Sequence, residues 1–337
     1  MGYGSWSPDE YLKASARRAA TGGDFGYTRS MGSTSRSNWK AHEALDPKVK
    51  AGDGSPHAGL VMRESRDNDE HPNSLPIAVI FDATGSMGAV PRTVQKKLKD
   101  LFGLLIRKNY VDDPQVMVGA YGDAYVDRVP LQISQFESDN KIDENLDNLF
   151  VEGGGGGNMG ETVPLAWYYL AHHTSTDAFE KRGKKGYAFF IADERALDLR
   201  TSQIKDNLGI DEVVGSGTAE EIAKALQAKW EVFILLINNS SALMQHSAEQ
   251  YEALFGKAHV LPVQDPEAIT ETIAVTLGIM EGRVDLDKAG ADLADVGADA
   301  QAAKAALTSV TALATLGDSD NNTRGIVPTG SGVASRL

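Results

Sequence analysis

The 337-residue sequence predicts an α/β fold with a doubly wound, mostly parallel sheet, one antiparallel edge strand, and extensions at both ends. From residue 75 onward, short and almost uninterrupted apolar segments are typical of strands that are buried on both faces of a parallel sheet. Helical patterns alternate with these segments, as they do in βαβ units. Two of the segments lie too close in sequence for a helical crossover, so they predict one antiparallel pair.

The strands and helices of this central part follow in order along the chain. The predicted strands span residues 77–81, 116–120, 129–133, 187–191, 232–237 and 259–263. The three- and four-residue spacing of apolar residues predicts helices at 90–105, after Gly160, and at 219–229, 249–255 and 266–280. Only a short turn separates 116–120 from 129–133, so these two strands should form a hairpin at one edge of the sheet.

Both ends of the chain differ from this central part. Residues 1–74 hold few apolar residues and one short predicted helix, which Ser7 caps and in which Pro8 takes the first position. We interpret the chain as a mostly irregular N-terminal extension at 1–74, a central domain at 75–283, an Ala-rich helical segment at 284–316, and a flexible tail at 317–337.

Apolar residues of the Ala-rich segment recur at alternating steps of three and four. They are Leu293, Val296, Ala300, Ala303, Leu307 and Val310. This spacing predicts an amphipathic helix. The helix either lies on its own domain or joins copies of the chain in an oligomer.

The composition argues against several classes of function. The net charge of -14 opposes binding to nucleic acid or to an anionic membrane surface. The sequence contains no cysteine, which excludes disulfides, thiolate zinc sites and thiol nucleophiles. We find neither an apolar run long enough to span a bilayer nor the apolar core of a signal peptide. We therefore expect a cytoplasmic protein, or one incorporated in a particle that assembles in the cytoplasm.

Side chains with oxygen atoms follow three of the predicted strands. Asp82, Thr84 and Ser86 follow the first strand, Asp123 follows the second, and Asp193 follows a later one. Ligands of an open parallel sheet bind at the carboxyl ends of its strands, so these residues should meet at one edge. Carboxylate and hydroxyl oxygens are ligands that hard cations prefer. The sequence therefore predicts a site for Mg²⁺, or for Mn²⁺ or Ca²⁺.

These residues lie in segments that resemble a known family. IAVIFDATGSM, at 77–87, resembles the first strand and the metal-ion-dependent adhesion site motif of von Willebrand factor A domains. AYGDAY at 120–125, GGGGGNMGETVPLAWYYL at 153–170 and FIADE at 190–194 resemble later segments of an intracellular branch of the family, of bacterial or phage type. The resemblance covers residues 75–282 and leaves both ends of the chain outside it.

The resemblance implies roles for individual residues. It implies that Asp82, Thr84 and Ser86 form the first metal motif, and that Asp193 is the aspartate associated with the metal at the end of the later strand. The resemblance thus implies a site for one divalent cation that keeps an open position for an outside carboxylate.

The middle metal ligand would lie in the loop that precedes the helix after Gly160. Family members commonly place a threonine there, and Thr162 is the hydroxyl available in this sequence. Asn158 stands where the intracellular branch often has an aspartate, so it is the alternative. Asp123 either shapes the hairpin turn or hydrogen-bonds a metal-bound water molecule.

The oxygen ligands have no nucleophile, catalytic pair or cofactor motif beside them, so we expect a binding module rather than an enzyme. The bound cation would bridge to an Asp or Glu of a partner protein, and the resemblance implies adaptors, including partners of MoxR-type AAA+ ATPases. The alternative is a structural component of a virion or secretion particle. A Mg²⁺-dependent phosphohydrolase is less favoured, because Asp82 is followed by Ala83 and Thr84 instead of a second acid.

Overall fold

A central sheet organises the fold. The computed structural model describes residues 4–48, 62–87, 90–153, 160–237 and 242–314; for Ser86, Lys99 and 242–244 it describes only the backbone. The strands are β1 (Arg63–Ser65), β2 (Leu75–Asp82), β3 (Pro114–Tyr121), β4 (Leu131–Ile133), β5 (Thr174–Thr176), β6 (Gly186–Ala192), β7 (Trp230–Ile237) and β8 (Val260–Val263). Six of them form one sheet in the order β4-β3-β2-β6-β7-β8. Its neighbouring strands are parallel except for β3 and β4. The doubly wound sheet with an antiparallel edge strand is thus confirmed.

Helices cover both faces of this sheet. They are α1 (Pro8–Ala20), α2 (Gly26–Gly32), α3 (Val90–Phe102), α4 (Lys141–Asp147), α5 (Pro164–His172), α6 (Asp177–Arg182), α7 (Thr201–Leu208), α8 (Ala219–Gln227), α9 (Ala242–Phe255), α10 (Ile269–Met280), α11 (Leu286–Val296) and α12 (Ala300–Ser309). The short helices α2, α4, α6 and α7 were not among the helices that the sequence predicts. Within the described ranges, no helix is both long and apolar enough to cross a membrane.

The side chains of β2 alternate between two hydrophobic clusters, one on each face of the sheet. Ile77, Val79 and Phe81 pack in the cluster that contains α3 and α10. Ala78 and Ile80 pack in the cluster that contains α5 and α8. A strand that is buried on both faces leaves no position for polar residues, which is why β2 reads as one continuous apolar segment.

The N-terminal extension is attached to the central domain. The predicted helix is present as α1, in which the Ser7 hydroxyl accepts a hydrogen bond from the Glu10 N–H at 3.3 Å. The Trp6 ring stacks on Phe102 at the end of α3, with 4.5 Å between the ring centroids. Further along, Trp39 makes an edge contact with another aromatic ring of the domain. The extension also contains α2 and β1, so it has more regular structure than the sequence indicates.

The extension covers the exposed edge of β4. The Ile133 N–H donates to the Leu45 carbonyl oxygen at 2.8 Å, and the guanidinium of Arg63 donates to the Ile133 carbonyl oxygen at 2.9 Å. An uncovered edge strand would offer these backbone groups to another chain. The extension therefore closes the side of the sheet that the antiparallel hairpin leaves open.

The Ala-rich segment forms two helices instead of one. Gly297, at φ +80°, ends α11, and the Asp299 side chain accepts hydrogen bonds from the first N–H groups of α12. Leu293 and Val310 are fully buried in the domain core, so the segment lies on its own domain. Oligomer formation through this segment stays a prediction. The predicted tail at 317–337 lies outside the described residues.

We expect Arg63→Met to lower the free energy of unfolding by about 2–3 kcal/mol, because three carbonyl groups, including the buried one of Ile133, lose this donor. Urea unfolding followed by circular dichroism measures the change. Arg29→Met is the matched control, since this exposed arginine lies in the same extension; it should change stability by less than about 0.5 kcal/mol. Equal effects of the two variants would contradict a special role for Arg63.

Burial of His173 should make the fold sensitive to acid. Burial, together with the nearby His172, lowers the pKa of His173 from 6.5 to about 4. His173 therefore binds a proton less readily in the folded state than in the unfolded state. The contribution of the neutral ring to stability is fully present above pH 6.5 and is lost as the pH falls to 4.

Between pH 7 and pH 4, we expect the wild type to lose on the order of 2 kcal/mol more stability than His173→Phe. Urea titrations across this range measure the difference. His246→Phe is the control, because His246 is exposed and its replacement should leave the pH dependence unchanged. Parallel pH profiles for the wild type and His173→Phe would rule out this source of acid sensitivity.

Candidate metal centre

Pairing of β2 with both β3 and β6 brings the predicted site residues to one edge of the sheet. Asp82, the last residue of β2, is in register with Tyr121 of β3. On the other side, Phe81 is in register with Ile191 of β6, two residues before Asp193. The loops that leave β2, β3 and β6 therefore start side by side at the same edge.

Two aspartate side chains lie buried at this edge. Asp82 is fully buried, and one carboxylate oxygen, Oδ1, accepts the Thr84 N–H at 2.6 Å. The other oxygen, Oδ2, is buried without a hydrogen-bond partner, as is Oδ1 of Asp193. Burial raises the pKa of Asp82 well above its ordinary value, hydrogen bonds from Thr84 lower it, and the charge of Asp193 raises it further. The two carboxylates therefore lie close enough to repel each other.

Thr162 connects the loop before α5 to the loop after β3. Its hydroxyl donates to the Gly122 carbonyl oxygen at 2.8 Å and accepts the Ala124 N–H at 2.7 Å. Asp123, in the same loop, is fully buried and accepts the Tyr125 N–H at 2.8 Å. Asp123 thus shapes the hairpin turn; its hydrogen bond to a metal-bound water stays a prediction.

The remaining predicted residues can be placed only in part. Thr84 is buried, and it precedes a short turn at Gly85–Met87 that separates β2 from α3. The side chain of Ser86 and the whole of Asn158 lie outside the described residues. The choice between Thr162 and Asn158 as the middle ligand therefore stays open, although Thr162 is at this edge.

Glu161 is a buried acid at this edge that the sequence interpretation did not select. Its side chain is 5% exposed, and one oxygen, Oε2, has no hydrogen-bond partner. Burial raises the pKa of Glu161 to about 10, and the charges of Asp82 and Asp123 raise it as well. The signal that could have pointed to Glu161 is its place directly before Thr162.

Two buried tyrosines also belong to this region. The hydroxyl of Tyr121 donates to the Ile191 carbonyl oxygen at 3.1 Å, and that of Tyr251 donates to the Glu194 carbonyl oxygen at 2.8 Å. Burial raises the pKa of both hydroxyls well above the ordinary value, and the charges of the site aspartates add to the shift. These side chains hold the backbone on either side of Asp193, at the end of β6 and in the loop after it, and no sequence pattern pointed to them.

The donor set at this edge fits a hard cation. Three buried carboxylate oxygens lack a partner, one each on Asp82, Glu161 and Asp193. Buried carboxylates are costly unless a cation or a proton neutralises them. No three acidic or histidine side chains of the described residues are grouped closely enough to bind an ion by themselves. A divalent cation would therefore need the two aspartates together with hydroxyl groups and water, which suits Mg²⁺.

Comparisons with known proteins leave the family open. No protein-family model matches the chain, and no curated protein matches it. Pilus adhesin SpaC from Lactobacillus rhamnosus GG, in its open conformation, matches with 11% identity and a TM-score of 0.43, over 65% of this chain and 31% of the adhesin. A second SpaC structure matches with 10% identity and a TM-score of 0.45, over 65% of this chain and 32% of the adhesin. Proximal thread matrix protein 1 from the mussel byssus matches with 13% identity and a TM-score of 0.42, over 63% of this chain and 50% of the matrix protein. The chain spans at most half of these proteins, and similarity at this level does not assign it to a family.

We expect Asp82→Asn to raise the free energy of unfolding of the metal-free protein by about 1–3 kcal/mol at neutral pH, because it removes a buried negative charge beside Asp193. Urea unfolding in the presence of a chelator measures the gain. Asp206→Asn, which removes an exposed carboxylate on α7, should have almost no effect. A loss of stability in Asp82→Asn would mean that the two aspartates do not repel each other in the folded protein.

Proposed function

We propose that this chain is a binding module of the von Willebrand factor A type. In this proposal Asp82, Thr84, Ser86, Thr162 and Asp193 hold a divalent cation, Mg²⁺ in preference to Mn²⁺ or Ca²⁺, which bridges to an Asp or Glu of a partner protein. The observation that carries the proposal is the pair of buried aspartates at the carboxyl edge of the sheet, each with an oxygen atom that has no partner.

The surroundings of these acids favour holding a cation over catalysing a reaction. In the described part of the chain, the charged groups that shift the pKa values of Asp82 and Glu161 most are all acidic. Phosphoryl transfer usually needs a lysine, an arginine or a second metal near the reacting group. We therefore propose a binding function and no enzymatic one.

Neutral ligands would leave the cation available to a partner. The hydroxyl groups of Thr84, Ser86 and Thr162 can complete the coordination without adding negative charge. A cation that is held by two carboxylates and by neutral oxygens keeps affinity for one more carboxylate from outside. An acidic side chain of another protein is the proposed occupant of that position, and MoxR-type AAA+ ATPases are one class of partner that the resemblance implies.

The rim of the site exposes apolar surface. Tyr125 and Val126, which follow Asp123 in the same loop, are 41% and 43% exposed. The Tyr125 hydroxyl donates to the Asp198 carbonyl oxygen at 3.0 Å, and the Arg200 guanidinium lies 5.0 Å from the ring centroid. An exposed aromatic ring that is held in one position loses little entropy on binding, so it suits a protein interface.

A structural component of a virion or secretion particle is the second candidate. The observation that favours it is an apolar groove of about 500 Å³ along α11 and α12. The groove is lined mainly by Leu286, Gly290, Ala294, Ala298, Ala303 and Leu307. In that case this surface would join copies of the chain, and the sheet would serve as a scaffold.

Affinity capture with the purified chain tests the leading proposal. We expect partner proteins that bind the wild type in Mg²⁺ to be lost in chelator and in Asp82→Asn, and to be retained by Asp206→Asn. Tyr125→Ala should weaken capture without changing Mg²⁺ affinity, because the ring lies at the rim. Capture that is indifferent to both chelator and Asp82→Asn would contradict a metal bridge. A chelator-resistant assembly of many copies, measured by mass, would favour the second candidate instead.

A further inference from the structure

Glu161 has an oxygen atom that the fold leaves without a hydrogen-bond partner. The side chain is 5% exposed, and the unpartnered atom, Oε2, is buried. Nearly all buried polar atoms in folded proteins have a hydrogen-bond partner. A carboxyl oxygen that lacks one is costly to bury, so this atom requires a specific explanation.

Hydrogen bonds of the backbone attach Glu161 to the loop after β6. Its N–H donates to the Arg195 carbonyl oxygen at 2.9 Å, and its own carbonyl oxygen accepts the Leu197 N–H at 2.9 Å. These two bonds form an isolated parallel bridge. Asp193 lies two residues before Arg195, so the bridge fixes Glu161 close to the loop that carries this aspartate.

The next residue attaches the same segment to the loop after β3. The Thr162 hydroxyl bonds to Gly122 and Ala124, as described above. Because β2 lies between β3 and β6, a segment that is attached to both loops crosses the carboxyl end of β2. Asp82 is at this end. The backbone therefore places Glu161 above Asp82.

The charges that act on the Glu161 side chain come from the acids at the same edge of the sheet. After burial itself, the charge of Asp82 contributes most to raising the pKa of Glu161, and that of Asp123 comes next. Yet among the described residues no three acidic side chains, Asp82, Asp193 and Glu161 included, are grouped so that they could hold one ion by themselves. Glu161 is thus a neighbour of the candidate metal centre rather than one of its direct ligands.

We propose that Glu161 is an outer carboxylate of this centre, in which Oε2 accepts a hydrogen bond from a water molecule on the cation that Asp82 and Asp193 hold. The inference rests on the proposed function. Mg²⁺ keeps several water molecules in proteins, and their hydrogen atoms need acceptors. A carboxylate that accepts such a hydrogen bond orients the water molecule and strengthens cation binding. Glu161 is therefore a positioning residue.

Titration calorimetry of the full chain with Mg²⁺, and then with Mn²⁺, tests the role of Glu161. We expect Glu161→Gln to weaken binding of both cations by about 10-fold or more, because the charged acceptor is lost while the shape is kept. Water-proton relaxation of bound Mn²⁺ gives a second measurement: the water molecule should exchange faster in Glu161→Gln. Gln has the shape and the neutral charge of a protonated glutamic acid. Unchanged affinity would therefore show that cation binding does not need the Glu161 carboxylate, which would contradict the proposal.

Glu194→Gln is the matched control. Glu194 is next to Asp193 and its charge acts on Glu161, but its side chain is half-buried. We expect this variant to weaken cation binding by less than about 3-fold. An effect as large as that of Glu161→Gln would reduce the role of Glu161 to general negative charge and would overturn the proposal.

Asp82→Asn separates this inference from the proposed function. If the wild type does not bind the cations, the proposed function fails. If the wild type binds, Asp82→Asn does not, and Glu161→Gln binds like the wild type, only the inference about Glu161 fails. Should Glu161→Gln not fold, Glu161→Asp replaces it: weaker binding at unchanged charge supports the proposal, and unchanged binding contradicts it.

Discussion

Repulsion between buried carboxylates at the carboxyl edge of the sheet is the constraint on which the rest of the site depends. Asp82 and Asp193 are brought together by the parallel pairing of residues 77–81 of β2 with residues 187–191 of β6, so moving them apart would disturb the sheet. The surrounding groups compensate only in part, since the Thr84 N–H reaches one oxygen and leaves the other unpartnered. A divalent cation would turn this repulsion into attraction, which is the physical reason for proposing a metal-dependent function.

The apolar core stabilises the fold enough to tolerate these buried acids. Strands buried on both faces, with helices packed on each side, place the acids at the end of a rigid frame. Tyr121 and Tyr251, both buried, bond to the backbone carbonyl groups of Ile191 and Glu194, which lie on either side of Asp193 in the sequence. Hydrophobic burial thus offsets the cost of acids that the fold does not neutralise.

The fold could be predicted largely because β2, β3, β6 and β7 are buried on both faces and therefore read as apolar segments. The three-residue strands β1 and β5 lack any such pattern, and Gly297 interrupts a helical periodicity that looked continuous in the sequence. At the site, strand ends predicted the positions of Asp82 and Asp193. Glu161 and Tyr251 were not predicted, because they lie in a loop and a helix whose positions beside the site depend on tertiary packing.

Attachment of the N-terminal extension bears on how the chain folds. The Ser7 N–H donates to the Asn140 side chain across 133 residues, and Leu45 contributes its carbonyl to an edge strand far along the sequence. Contacts between such distant positions form slowly, because a long loop must close first. During synthesis, the N-terminal extension must therefore wait for β4, and until then the edge of the growing sheet stays accessible to other chains.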